Sequence, residues 1–275
     1  MTFNVRVNSE RDGVNAWPAR AARAVELIRR QRPDVIGFQE LQAAHWATFA
    51  EALPEYGREC GPRVDNGEPW AYPAIFWNVE RLHLMARGGF YLSPTPGVFS
   101  RAWESAHTRG ATWVRLRLNE LSGRPLLFFN THLDNRSAPA REEQAKVLIA
   151  QATAVAGSMA GSDPARGWAP PVFVTGDFNS DPREAPYGLF AAAGFRDPFR
   201  EAGGQDGPAA ATFHGYTGRQ GSETERMDWI LMQAGSGKLT TVGCEILRDA
   251  APPLYPSDHF PVLATVRVGE EEKQG

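Results

Sequence analysis

Short apolar runs recur along this chain, and the residues at their ends carry chemistry. "TFNVR" holds Asn4, and "DVIGFQE" closes on Glu40. "LLFFNTHLD" runs through Asn130 and His132 to Asp134, and "VFVTGDFN" delivers Asp177 and Asn179. Asp228 opens "DWIL", and Asp258 and His259 stand directly before "FPVLATVRV". Apolar runs of this length read as buried strands. One Asp or Asn after a strand reads as a turn former. Six strand ends that all bear an acid, an amide or an imidazole exceed what turns need. Residues at strand ends collect on one edge of a sheet, where a site can form.

Helical stripes lie between these runs. Pro18 opens a helix whose residues Ala21, Ala24, Val25 and Ile28 recur at helical spacing. Trp46, Phe49, Ala50 and Leu53 form a second stripe. A long helix is expected over 137–156 and a short one over 185–193. Further strands are expected at "YPAIFWN", "LHLMARGGFYL", "GATWVRLRL" and "LTTVGCEIL". The pattern predicts an α/β fold in which two sheets pack face to face with helices outside. One domain over 1–268 is expected, with 269–275 a disordered tail.

Composition narrows the function. Among 275 residues, 29 basic against 32 acidic side chains give a net charge of −3, and Lys146, Lys238 and Lys273 are the only lysines. A protein that grips long nucleic acid carries a basic surplus. Two cysteines, Cys60 and Cys244, supply neither a metal quartet nor a disulfide framework. With no leader-like segment and no long apolar span, a cytoplasmic protein without a membrane span is expected.

The oxygen-rich residues Glu40, Asn4 and Asp258 suit a hard divalent cation, Mg²⁺ or else Mn²⁺. Zinc is disfavoured without a His or Cys cluster. Hydrolysis of a phosphoester needs neutralised phosphate oxygens, an aimed water and a stabilised leaving oxygen. Histidines, an arginine and a carboxylate beside an amide can supply these functions.

In order, "TFNVR", "GFQE", "NTHLDN", "TGDFNSDP", "RMDWI" and "SDHFPV" resemble the endonuclease/exonuclease/phosphatase superfamily, the DNase I-like fold. "DGVNAWPAR", "FYLSPTP" and "ATFHGY" resemble a bacterial branch of it without an assigned substrate. The resemblance implies a four-layer α/β sandwich and the following roles. Glu40 would be the main metal-binding carboxylate, with Asn4 beside it and Asp258 near the metal. Asp177 would position or deprotonate the attacking water, and Asn179 would hold that water or a phosphate oxygen. His259, oriented by Asp228, and His132 would contact the phosphate. Arg109 would bind phosphate, and strand alternation would bring Arg6 to the same side as Asn4. Trp17 and Tyr91, in the branch-like segments, are candidates to stack on the substrate. Members of the superfamily carry apolar residues ahead of "TFNVR", so the first strand here is expected to be short.

The expected activity is hydrolysis of a small or medium phosphoester, such as a sugar or lipid-headgroup phosphate, with no protein partner implied. A metal-dependent nuclease is the second expectation. An inactive phosphate-binding protein is the third, and it sits poorly with a full set of site residues.

Overall fold

The computed structural model describes residues 1–62, 72–119, 125–160, 169–218, 226–248, 252 and 254–269. The first half contains β1 (Thr2–Asn4), α1 (Trp17–Gln31), β2 (Val35–Gln39), α2 (Ala43–Ala52), β3 (Tyr56–Glu59), β4 (Ile75–Asn78), β5 (Leu82–Tyr91) and β6 (Gly110–Leu118). The second half contains β7 (Pro125–His132), α3 (Ala138–Ala160), β8 (Val172–Asp177), α4 (Ala185–Ala192), α5 (Pro198–Glu201), β9 (Asp228–Gln233), β10 (Lys238–Ile246) and β11 (Val262–Gly269). Six strands form one sheet in the order β10-β11-β1-β2-β4-β3, and five form the other in the order β5-β6-β7-β8-β9.

Composition explains the positions. β7, "PLLFFNTH", is buried at every residue, as a central strand covered on both faces must be. β5, at the sheet edge, alternates between less and more exposed residues along most of its length. α1 turns Trp17, Ala24, Leu27 and Ile28 onto the six-stranded sheet, where Phe3, Phe38 and Phe76 meet them. Phe38 stacks on Phe49 of α2 at 4.9 Å and meets Phe76 edge-on at 5.1 Å. α3 lays Ala145, Leu148 and Ala152 against Leu127, Phe129 and Val174 of the other sheet. Two further clusters, around Phe128 and Trp77 and around Ile230 and Phe260, include residues from both sheets. The result is the expected sandwich of helices, sheet, sheet and helices.

A polar crossbeam joins the two sheets near their centre. Asn130 donates from Nδ2 to Phe38 O at 2.7 Å and Ala74 O at 2.9 Å. Its Oδ1 accepts from Gln39 Nε2 at 2.6 Å and Thr175 Oγ1 at 3.2 Å. Gly37 leaves the room for it: a Cβ there would meet Asn130 Oδ1 at 2.5 Å. Asn130 is therefore an inter-sheet tie rather than a group at the strand end.

The short first strand is as expected, but the segment "TFNVRV" is strand only to Asn4. Arg6 has a φ of 56°, which no strand sustains. β3 and α5 were not expected from the sequence. β11 takes in Gly269. The rest of the expected tail, 270–275, lies outside the described residues, and Lys273 with it.

Candidate active site

Each sheet contains one parallel pair, β1 with β2 and β7 with β8. The C-terminal ends of these four strands lie at the same edge of the sandwich. Register aligns the polar residues there. Asn4 is level with Gln39, one residue before Glu40. His132 is level with Asp177, and Asp177 with Asp228 across the antiparallel neighbour β9. Asp258 and His259 arrive just ahead of β11, which pairs with β1. Strand pairing thus sets the level of three site side chains before any of them touches another.

The two halves meet through Asn4. Its Nδ2 donates to Asp177 Oδ2 at 2.9 Å and to Glu40 Oε1 at 3.3 Å, and its Oδ1 accepts from Arg6 N at 2.9 Å. Asn4 therefore bridges two carboxylates as a donor, rather than presenting its oxygen beside Glu40. Glu40 sits at a φ of 59°, and its Oε2 accepts from Val7 N at 2.8 Å. Arg6 reaches the site through this turn and not through strand alternation. Its guanidinium grips Asp12 with two bonds of 3.1 Å and passes Asp258 at 3.7 Å.

Asp177 is 1% exposed and faces two imidazoles, His132 Nε2 at 3.3 Å and His259 Nε2 at 3.8 Å. Burial, helped by the nearby Asp228 carboxylate, pushes its carboxyl up to about 7. His259 runs the other way. Burial alone would lower it, but Asp228, 2.8 Å from Nδ1, together with Asp177 and Asp258, lifts it to about 10. The ring is therefore a cation at neutral pH. Burial and the charge of Arg109 hold His132 well below the usual histidine range. Its tautomer follows from a neighbour. Asn179 Nδ2 must be the atom that faces Leu133 O at 3.0 Å, since a carbonyl only accepts. The same Nδ2 lies 2.8 Å from His132 Nε2, which is then the unprotonated nitrogen. Asn179 holds a φ of 46°, with its N–H bonded to Asp177 Oδ1 at 2.9 Å.

A cavity of about 450 Å³ opens over this edge. Arg6, Glu40, Arg109, His132, Asp177, Asn179, Asp258 and His259 line it, all of them expected from the sequence. Asp228 and Asn4 stand behind as supports. His107, Asn135, Phe213 and Met227 also line it and were not picked out from the sequence. Phe213 covers His259 with ring centres 5.1 Å apart. Asp134 organises this wall from beneath. It accepts from Ser105 Oγ and from the amides of Ala106 and Ser137, at 2.8–2.9 Å, and lies 4.0 Å from Arg109 Nε.

Two expected side chains are not brought to the cavity. Trp17 is 3% exposed, packed on His45 at 4.3 Å and Phe49 at 5.5 Å, with Nε1 donating to Thr48 Oγ1. It is a core residue, because its place on α1 turns the indole to the sheet. Tyr91 pairs with Gly110 in the sheet and meets Phe99 edge-on at 5.4 Å, away from the cavity lining.

The model of the Endonuclease/Exonuclease/phosphatase family matches residues 1–259. The chain belongs to this family. Endonuclease/Exonuclease/phosphatase proteins are metal-dependent hydrolases of phosphoester bonds, and this chain is an enzyme of that class. No curated protein sequence matches it. Among solved structures, the endonuclease/exonuclease/phosphatase of Bacteroides vulgatus superposes with a TM-score of 0.82 at 25% identity, covering 97% of each chain. A conserved protein of unknown function from Enterococcus faecalis V583 gives 0.82 at 26%, covering 98% of each. A mannosyl-6-phosphatase of Bacteroides thetaiotaomicron VPI-5482 has the same fold, with a TM-score of 0.82 at 24% identity over 97% of this chain and 98% of that one.

The family's divalent cation fits the residues present. Glu40, Asp177 and Asp258 direct carboxylates at one cavity. Burial first, and then Glu40, raises the proton affinity of Asp258, a strain that a bound cation relieves. Among the described residues, the one group of three metal-capable side chains with ligand atoms within 4.8 Å is Asp177, Asp228 and His259. Within that group Asp228 and His259 are already bound to each other, while the carboxylates of Glu40 and Asp258 line the cavity beside them. No helix among the described residues is long and apolar enough to cross a membrane.

Proposed function

We propose that this chain is a Mg²⁺-dependent hydrolase of a small or medium phosphoester, such as a sugar or lipid-headgroup phosphate. The observation that carries it is the level row His132, Asp177 and Asp228 with a cationic His259 beside it, at the floor of a 450 Å³ cavity. Glu40 and Asp258 would hold the cation. Bound there, it would neutralise phosphate oxygens and stabilise the leaving oxygen.

The chain's own groups supply the remainder. Asp177 orients the attacking water and takes its proton as the new P–O bond forms and the ester P–O bond breaks. Its raised proton affinity suits that task near neutral pH. Asn179 holds the water or an equatorial oxygen. His259 donates from Nε2 to the phosphate, while Asp228 keeps it protonated and turned. Arg109 offers a second cationic contact, held in place over Asp134. A net charge of −3 supports a small substrate. The mannosyl-6-phosphatase shares this fold, which is consistent with a sugar phosphate.

The test is a panel of phosphoesters, with and without EDTA, for the wild type and Asp177→Asn. It covers p-nitrophenyl mono- and diesters, sugar phosphates, phosphoinositides and nucleic acids. A small ester should be the best substrate, turnover should stop in EDTA, and Asp177→Asn should lose about 10²–10⁴-fold in kcat while staying folded. Preference for DNA or RNA would instead identify a nuclease. Near-normal turnover by Asp177→Asn would remove the base from this scheme.

A further inference from the structure

Behind the cavity, in the first turn of α1, a guanidinium is buried without a carboxylate partner among the described residues. Arg20 is 0% exposed. Its five N–H groups meet five backbone carbonyls. Nε donates to Asn15 O at 2.9 Å. Nη1 donates to Val5 O at 2.5 Å and to Pro256 O at 3.0 Å. Nη2 donates to Arg6 O at 2.8 Å and to Val7 O at 3.5 Å. The Trp17 ring packs against the same group, 5.0 Å from the guanidinium carbon.

A buried charge is a poor way to gain stability, since an apolar side chain of equal volume serves as well or better. What the fork does gain is geometry: it joins residues 5–7 to Pro256, which lies 236 residues from Arg20 itself. Both stretches lead to the cavity. The 5–7 stretch turns its carbonyls to Arg20 and its amides to the site, Arg6 N to Asn4 Oδ1 and Val7 N to Glu40 Oε2. Pro256 precedes Ser257, whose Oγ donates to Asn4 O at 2.7 Å, and then Asp258. Arg20 therefore fastens the backbone that holds Glu40 to the backbone that carries Asp258.

We propose that Arg20 is the positioning residue that sets the spacing of Glu40 and Asp258, and thereby the affinity of the site for a divalent cation. The proposal rests on those two carboxylates holding the cation, as argued above. A lysine at this position keeps the charge, but its compact ammonium has three donors and cannot span five carbonyls.

The experiment uses the full chain stripped with EDTA, titrated with Mn²⁺ as the spectroscopic probe. Bound ion is read by electron paramagnetic resonance, beside thermal unfolding and steady-state hydrolysis of the best ester in the panel. The variants are Arg20→Lys and Arg20→Met. Arg20→Lys should unfold cooperatively yet bind Mn²⁺ about tenfold more weakly, the range for supporting residues of metal sites. The cation concentration for half-maximal hydrolysis should rise in parallel, with kcat at saturating cation within about threefold of wild type. Folded Arg20→Met should lose more. Wild-type Mn²⁺ affinity in either folded variant overturns the proposal. So does a fall in kcat with an unchanged cation requirement, or an Arg20→Lys chain that no longer folds, since Arg20 would then serve the fold alone. A wild type that takes up no Mn²⁺ overturns the cation reading itself, which is a different result from equal uptake by all three chains.

Discussion

His259 and Asp177 occupy the same buried edge, yet their proton affinities are displaced in ways that serve opposite roles. Asp177 is lifted to about 7 chiefly by burial, so it can accept a proton near neutrality. His259 is lifted to about 10 by its carboxylate neighbours despite burial, so it can donate. The sign for His259 is that of a cation gaining a partner: its contribution to stability is full below about 6.5 and is lost as pH rises through about 10. Asp228→Asn keeps the shape and removes the charge. The imidazole should then lose its proton at lower pH, and the alkaline limb of the pH–rate profile should move toward neutrality. At pH 8, kcat should fall by about 100-fold or more. An unmoved alkaline limb would show that Asp228 does not set the charge of His259.

Elements decide where such residues stand. β7 and β8 run side by side in register, so His132 and Asp177 are level by pairing. The tie at Asn130 keeps that sheet against β2. Asn130→Leu would remove four buried hydrogen bonds from a dry interior, those to Phe38 O and Ala74 O and those from Gln39 Nε2 and Thr175 Oγ1. Each buried loss costs about 1–3 kcal/mol, so unfolding in urea should show at least about 3 kcal/mol of destabilisation. A loss below about 1 kcal/mol would mean that the sheets are held by apolar packing alone. Strand ends were the most legible part of the sequence. "VFVTGDFN" and "SDHFPV" each place their acid or imidazole where the apolar run stops, and position alone marks them. β3, "YGRE", escaped because one Tyr among Gly, Arg and Glu has no period. Trp17 misled because a tryptophan in a branch-like segment says nothing of the direction of its indole. His107 and Asn135 lie in loops, where no spacing points at a cavity. Arg20 did leave a trace: Trp17, Arg20, Ala24 and Leu27 share one helical face, and a charge on a core stripe needs a reason.

At the scale of the molecule, charge and shape set what the enzyme meets. A net charge of −3 gives the chain no basic surplus of the kind that grips a long phosphate chain. For the preferred ester, kcat/KM should change by less than about threefold between roughly 50 and 200 mM salt. A protein closing on many phosphates of a nucleic acid would lose about 10³–10⁵ in affinity over that span. A steep salt slope on the best substrate would overturn the small-molecule assignment. The four layers follow from apolar pattern alone, because each sheet must cover both faces. Which end of the sandwich gathers the polar side chains follows from its two parallel pairs, and strand direction is not visible in a run of apolar residues.

Arg6, Glu40 and Asn179, all lining the cavity, sit at φ values of 56°, 59° and 46°. For Arg6 and Glu40 that region costs about 1–2 kcal/mol, whereas asparagine visits it routinely. Glycine would occupy these positions more comfortably, and none of the three is glycine. Under the proposed function, the chain bears that backbone cost for the side chains it places at the cavity. A search for heat-resistant variants that measured melting alone would drift toward glycine at Arg6 and Glu40, and under the proposed function its most durable products would be its poorest catalysts.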